Sequence, residues 1–177
     1  MKKIFKMLKI IYRNIIYLIE PFNANLYMSI YSNYLTNCGM NLKGKPRYIA
    51  PTVHFDGNDY SLITLGEDVV ISKHVEFLTH DFSIARGLQA INKKKVNDGK
   101  DEYFLRTISV GNNCFIGLNS VIMPGATIGD NVIIGSGTVV RGVIPDNKIV
   151  IGNPGRIVED VDVWAENKLR QGGIMCE

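Results

Sequence analysis

The sequence predicts an all-β solenoid of stacked parallel strands, and three observations carry that expectation. Val110, Ile116, Ile122, Ile128, Ile134 and Val140 stand six residues apart. Positions six apart diverge by about 240° around a helix but share one face of a strand, whose period is two. Glycine follows in four of the six units, as Gly111, Gly117, Gly129 and Gly135. A corner that uses positive φ is the role expected of it. The fifth place holds Cys114, Ser120, Ala126, Val132, Thr138 and Ile144, mostly small or β-branched residues that can pack beside an inward aliphatic side chain. A chain that turns every six residues has no hairpin partner, so it must stack coil on coil.

Residues 1–48 read as an N-terminal helical segment. In residues 2–19, Ile4, Phe5, Leu8, Ile11, Ile15, Leu18 and Ile19 follow helical spacing, and Lys2, Lys6, Lys9 and Arg13 follow a second stripe. Glu20-Pro21 closes that helix. Lys2, Lys3, Lys6, Lys9 and Arg13 contribute +5 before the first acid, which leaves −2 for the rest of a chain whose net charge is +3. The interspersed cations exclude a signal peptide and a spanning helix, which need an unbroken apolar run. Two roles stay open for this amphipathic helix: a peripheral contact with an anionic membrane through residues 2–19, or a cap whose apolar face packs against the solenoid or a neighbouring subunit, which is favoured because solenoid ends need covering. Residues 22–48, with Tyr27, Tyr31 and Tyr34, read as a second short helix and a turn.

The solenoid is assigned to residues 49–158. Its register resumes upstream at Leu65-Gly66, Ile71 and Phe77, with a first turn from Ile49. Between Phe77 and Val110 no period survives, and about 83–107 reads as an extruded loop bearing Lys93, Lys94, Lys95 and Lys100. Residues 159–177 read as a C-terminal helix and tail, Glu159 to Gln171 stopped by Gly172-Gly173.

At 177 residues and 46% hydrophobic content the chain suits one domain with a real core. Cys38, Cys114 and Cys176 are odd in number and lack a CxxC pair, so neither a disulfide framework nor a zinc site is indicated and a reducing, cytoplasmic setting is expected. The lysine run lacks interleaved aromatics and does not point to nucleic acid. No metal-ligand spacing occurs among the histidines and cysteines.

Only His54, His74 and His80 can serve as neutral-pH bases among the histidines. His80, in Leu78-Thr79-His80-Asp81, lies in the last ordered unit before the loop, where a side chain is exposed yet rigidly mounted. An ordinary surface histidine is the competing reading, with equal weight on these residues alone. His74 falls at a solvent-facing corner. His54 and Asp56 precede a short polar insertion and are candidates for a substrate wall, with a solvated bend the favoured reading of His54; Thr79 and Asp81 beside His80 are further candidates. Asp81 is one candidate to orient the imidazole, but adjacent strand residues point to opposite faces, so a carboxylate from elsewhere or a backbone carbonyl has at least equal weight and the orienter stays unassigned.

The block Val110-Gly111-Asn112-Asn113-Cys114-Phe115-Ile116-Gly117, then Ile122-Met123-Pro124-Gly125-Ala126-Thr127-Ile128-Gly129-Asp130, then Val150-Ile151-Gly152-Asn153-Pro154-Gly155-Arg156 resembles the hexapeptide-repeat acyltransferases. Within them it is most similar to the galactoside and maltose O-acetyltransferases, the xenobiotic acetyltransferases, and the sugar O-acetyltransferases of capsule and lipopolysaccharide synthesis. The resemblance covers roughly residues 49–158. It implies a left-handed parallel β-helix, a homotrimer with active sites between subunits, and acetyl-CoA as co-substrate with no metal. It aligns Thr79-His80 with the family's base-bearing pair, so His80 becomes the catalytic candidate. It places acetyl-CoA along the C-terminal coils, near Phe115, Gly117, Leu118, Gly135, Ser136, Asn153, Pro154 and Arg156, with the Leu118 amide aimed at the thioester oxygen. Phe115 departs from the tryptophan common at its position, keeping an apolar wall without an indole donor. The implied activity is O-acetylation of a sugar in surface polysaccharide synthesis. Acetylation of a xenobiotic or an amino sugar, or a non-catalytic scaffold, are the alternatives.

Overall fold

The six-spaced aliphatic row closes into the interior of a left-handed parallel β-helix. The computed structural model describes residues 2–57, 60–93 and 101–172, with side chains from residue 7 onward. Three parallel sheets form its faces. The first stacks Asn41–Leu42, Ile63–Leu65, Ile108–Val110, Thr127–Ile128 and Val143–Ile144. The second stacks Tyr48–Ile49, Val70–Ile71, Phe115–Ile116, Ile133–Ile134 and Lys148–Ile151. The third stacks His54–Phe55, Glu76–Phe77, Val121–Ile122 and Val139–Val140. Leu65, Ile71, Phe77, Ile116, Ile122, Ile134 and Val140 are fully buried, each contributing roughly 1.5–3 kcal/mol relative to exposure.

The corner chemistry differs from expectation. Gly111, Gly117, Gly129 and Gly135 do not have positive φ; that conformation belongs to the fourth place of the unit, at Asp68, His74, Asn113, Asn119, Gly125, Asn131 and Gly137. Short polar residues tolerate it because they bond locally. The second-place glycines answer to stacking instead. A Cβ on Gly66 would lie 2.5 Å from the Gly111 carbonyl, on Gly111 2.5 Å from the Gly129 carbonyl oxygen, and on Gly117 2.6 Å from the Ser136 nitrogen. Coil backbones approach there more closely than any side chain allows.

Polar fifth-place residues reach the same carbonyls: Cys114 Sγ donates to Gly129 O at 3.1 Å and Ser120 Oγ to Gly135 O at 3.0 Å. Outside, Asn113 donates to Asn131 at 2.8 Å and Asn131 to Asn147 at 2.9 Å, a side-chain ladder along one corner. Ile144 is a strand residue paired with Ile128, not a fifth-place residue. The last coil is two residues shorter, tightened at Gly142 with φ 71°.

The extruded segment contains structure that the missing period concealed. Helix α3 spans Ser83–Ala90, and His80–Asp81 pairs antiparallel with Phe104–Leu105, clamping the excursion at its base. Lys94, Lys95 and Lys100 lie outside the described residues, as does Cys176. At the C-terminus Arg156–Asp160 is a strand antiparallel to Lys148–Ile151, so the terminal helix α4 begins at Val161 and runs to Gln171.

Two helices precede the solenoid, α1 at Lys2–Tyr17 and α2 at Ala24–Asn37. The Asn23 side chain caps α2 by accepting from Leu26 N at 2.9 Å. Helix α2 does the covering: Tyr27, Met28, Tyr31 and Leu35 are buried, and Tyr27 Oη donates to Ile49 O of the first coil at 2.7 Å. Burial pushes the Tyr27 and Tyr31 phenols well above their ordinary range. Helix α1 packs chiefly through Ile16 and Tyr17, whose hydroxyl meets that of Tyr31 at 3.2 Å. Among the described residues no helix is long and apolar enough to cross a membrane.

Candidate active site

His80 stands where the third face ends. Leu78 N still bonds to Ile122 O of the next coil, after which Thr79 O accepts from Arg106 N at 2.9 Å and the chain leaves the solenoid. The imidazole is thus mounted between a stiff coil and the clamp of the excursion. Asp56, one coil below, is buried, and its Oδ2 accepts from Thr79 N at 3.2 Å and His80 N at 3.4 Å. The same oxygen pairs with His80 Nδ1. A buried carboxylate requires such partners, and these turn it toward the ring.

Asp56 therefore faces His80, and the orienting group that the sequence left unassigned is this carboxylate. Asp81 turns elsewhere: its Oδ1 accepts from Ser83 N at 2.8 Å at the start of α3, which holds its carboxyl below the usual range. With Nδ1 donating to Asp56, the imidazole's Nε2 is left to accept a proton.

Around His80, Asp56, Leu62, Thr79, Phe82, Tyr103 and Leu105 line a recess of about 300 Å³. The Phe82 and Tyr103 rings meet the imidazole edge-on at 5.0 and 6.2 Å, lie 4.9 Å from each other, and are half exposed. Sequence reasoning missed both aromatics, because they lie in the stretch without a period. Nor did it pair Asp56 with His80, although aligning Phe55 with Phe77 sets Asp56 one coil beneath Leu78 and so close to His80.

His54 does not line this recess. It projects from the outer surface of the third face and pairs with Glu76 through Nδ1 at 2.5 Å. His74 occupies a left-handed corner with φ 56°. Among the described residues no group of three metal-ligating side chains converges.

The residues aligned with coenzyme binding gather at another corner, between the second and third faces. Gly117-Leu118, Gly135-Ser136 and Gly152-Asn153-Pro154 stack there, one pair or turn per coil, with Gly137 N donating to Leu118 O at 2.7 Å and Val139 N to Gly152 O at 3.0 Å. The Leu118 amide has no hydrogen-bond acceptor among the described residues. Phe115 lies half exposed on the adjoining second face beside Ile133, and Arg156 opens the antiparallel strand with an exposed guanidinium. Within one chain, then, the His80 recess and the Leu118 corner flank opposite edges of the third face.

The model of the bacterial transferase hexapeptide, six repeats, matches residues 107–142. The galactoside O-acetyltransferase of Escherichia coli K12 is 32% identical over 105 residues, covering 59% of this chain and 47% of that protein. Protein CapG of Staphylococcus aureus is 32% identical over 108 residues, covering 61% and 58%. The chain therefore spans about half the length of these curated relatives. A Vibrio cholerae hexapeptide-repeat acetyltransferase, solved with acetyl coenzyme A, superposes with a TM-score of 0.57 at 27% identity over 70% of this chain and 61% of that one. In repeat and in fold, then, the chain is similar to the hexapeptide-repeat acetyltransferases.

Proposed function

We propose that this chain is an acetyl-CoA-dependent O-acetyltransferase that acylates a sugar hydroxyl of a surface polysaccharide or its precursor. The single observation that carries the reading is the pairing of buried Asp56 with His80 Nδ1 at the mouth of an aromatic-walled recess. A sugar hydroxyl is a weak nucleophile at neutral pH, so attack on a thioester carbonyl needs a base as the bond forms, worth about 10²- to 10⁴-fold. His80 Nε2 accepts that proton, and Asp56 stabilises the imidazolium. Negative charge gathers on the former carbonyl oxygen, for which the unengaged Leu118 amide on a rigid coil is a preorganised donor. Collapse expels the thiolate, and His80 returns the proton to it.

Because base and amide flank different edges of one face, the reaction calls for two copies of the chain, His80 of one subunit meeting the Leu118 corner of the next. A homotrimer with clefts between subunits satisfies this. The galactoside acceptor in the name of the Escherichia coli relative supports a saccharide here, as do Phe82 and Tyr103, since exposed rings suit the apolar face of a pyranose.

The test is His80→Ala against a panel of saccharides, amino sugars and chloramphenicol. Transfer to a saccharide hydroxyl should fall about 10²- to 10⁴-fold, with acetyl-CoA binding by calorimetry unchanged. Near-wild-type turnover would remove His80 as the base, and turnover of the drug alone would remove the sugar.

A further inference from the structure

Helix α1 carries its larger apolar stripe on the side away from the protein. Met7, Leu8, Ile11, Ile15 and, in the turn that follows, Leu18 fall within an arc of about 100° at 100° per residue, and they are between 48% and 70% exposed. Ile16, the residue that anchors the helix to α2, lies across from the stripe's centre, and Arg13 lies on that side with it. Within the chain the solenoid end is covered by α2, and among the described residues the outward stripe of α1 has no partner. Five large aliphatic side chains aligned on one helix are too many for an ordinary solvated face.

Charge selects the occupant. Lys2, Lys3, Lys6, Lys9 and Arg13 all belong to α1, and no acid occurs before Glu20. Copies of α1 packed stripe to stripe would add +5 from each with no acid in either helix to offset it, and like charges repel. An anionic surface neutralises them. Basic positions behind the stripe stay within one helix diameter of such a surface, about 10–12 Å, comparable with the Debye length of about 10 Å at 0.1 M salt.

We propose that the outward stripe of α1 docks this protein on the surface of an anionic phospholipid bilayer, the helix lying in the interfacial plane with the solenoid held above it. The docking face is separate from the acyl-transfer reading and stands or falls without it.

The experiment is flotation of the full chain with phosphatidylcholine vesicles with and without 30% phosphatidylglycerol, at about 0.1 and 0.5 M salt. Wild type should bind the anionic vesicles at least about tenfold better than the neutral ones, and high salt should weaken this several-fold. Ile11→Glu with Ile15→Glu should lower binding at least about tenfold, with the circular dichroism spectrum and the light-scattering mass unchanged, since neither side chain contributes to the core. Failure of the wild type to float, equal flotation of the double variant, or a fall in the variant's mass that marks the stripe as an interface between copies would each overturn the proposal.

Discussion

Asp56→Asn should lower kcat/KM for acetyl transfer by about 5- to 30-fold, and Asp56→Ala by at least about 10²-fold. The asymmetry follows from what converges on one oxygen. Asp56 Oδ2 faces Thr79 N, His80 N and His80 Nδ1, so three donors meet there. An asparagine must put its carbonyl oxygen in that position, because its amide group would confront all three. The Nδ1–H tautomer is thereby kept and only the negative charge opposite the imidazolium is lost. A hydrogen bond to a charged group contributes about 1.5–3 kcal/mol against about 0.5–1.5 for a neutral one; the difference of about 1–2 kcal/mol corresponds to about 5- to 30-fold. In a catalytic triad, where asparagine traps the wrong tautomer, the loss is about 10⁴-fold. Alanine removes the acceptor, freeing the ring to rotate and leaving two backbone N–H groups unpaired, at about 1–3 kcal/mol of stability each. Free-thiol release under saturating acetyl-CoA, with thermal unfolding in parallel, measures both. Loss of 10⁴-fold in Asp56→Asn, or equal activity in the Asn and Ala variants, would refute the three-donor argument.

Three glycines should respond to alanine differently. Gly111→Ala should destabilise by about 1–3 kcal/mol or more through collision with the Gly129 backbone, Gly137→Ala by about 1–2 kcal/mol because its φ is 71° in open space, and Gly87→Ala, inside α3 with nothing near, should stabilise by about 0.8–1 kcal/mol; urea titrations rank them. Burial pushes the Cys114 thiol up to about 11 from an unfolded value near 9.0. A raised value means its contribution is intact below pH 9 and lost as pH climbs to 11, by up to about 1.36 kcal/mol per unit; Cys114→Ala should flatten this slope in urea melts taken across that window. Arg156→Ala should raise the KM for acetyl-CoA about two- to fivefold with kcat unchanged, as befits an exposed cation contributing equally to ground and transition states; steady-state kinetics would expose a kcat effect instead.

The solenoid was legible because Val110 through Val140 must all point inward, and no other element tolerates a period of six. The same row misled about glycine. Spacing locates Gly111 at a corner but cannot say whether φ or the approach of the next coil excludes a side chain, and Asn113, two places on, carries the positive φ. His80 could be singled out by its place before the break in register, whereas its link to Asp56 was hidden by the insertion after Gly57, which lengthens that coil to 22 residues between His54 and Glu76. Helix α3 was invisible in a short stretch centred on Gly87. The outward stripe of α1 could be read as a stripe; its direction is a tertiary fact, decided by the tyrosines of α2.

The excursion after His80 also divides the folding of the chain. Ile116 pairs with Ile134, eighteen residues on, but with Ile71 forty-five residues back. Closing the longer span costs about 0.8 kcal/mol more chain entropy for each first contact, and in a solenoid every coil depends on its neighbour for half of its hydrogen bonds. The C-terminal coils form a local, low-contact-order nucleus, and the N-terminal coils with α2 add to that finished edge. The seam between the two halves falls in the excursion just after His80, and because Tyr103 and Leu105 on its far side line the recess, the recess is complete only when the last joint of the molecule has closed.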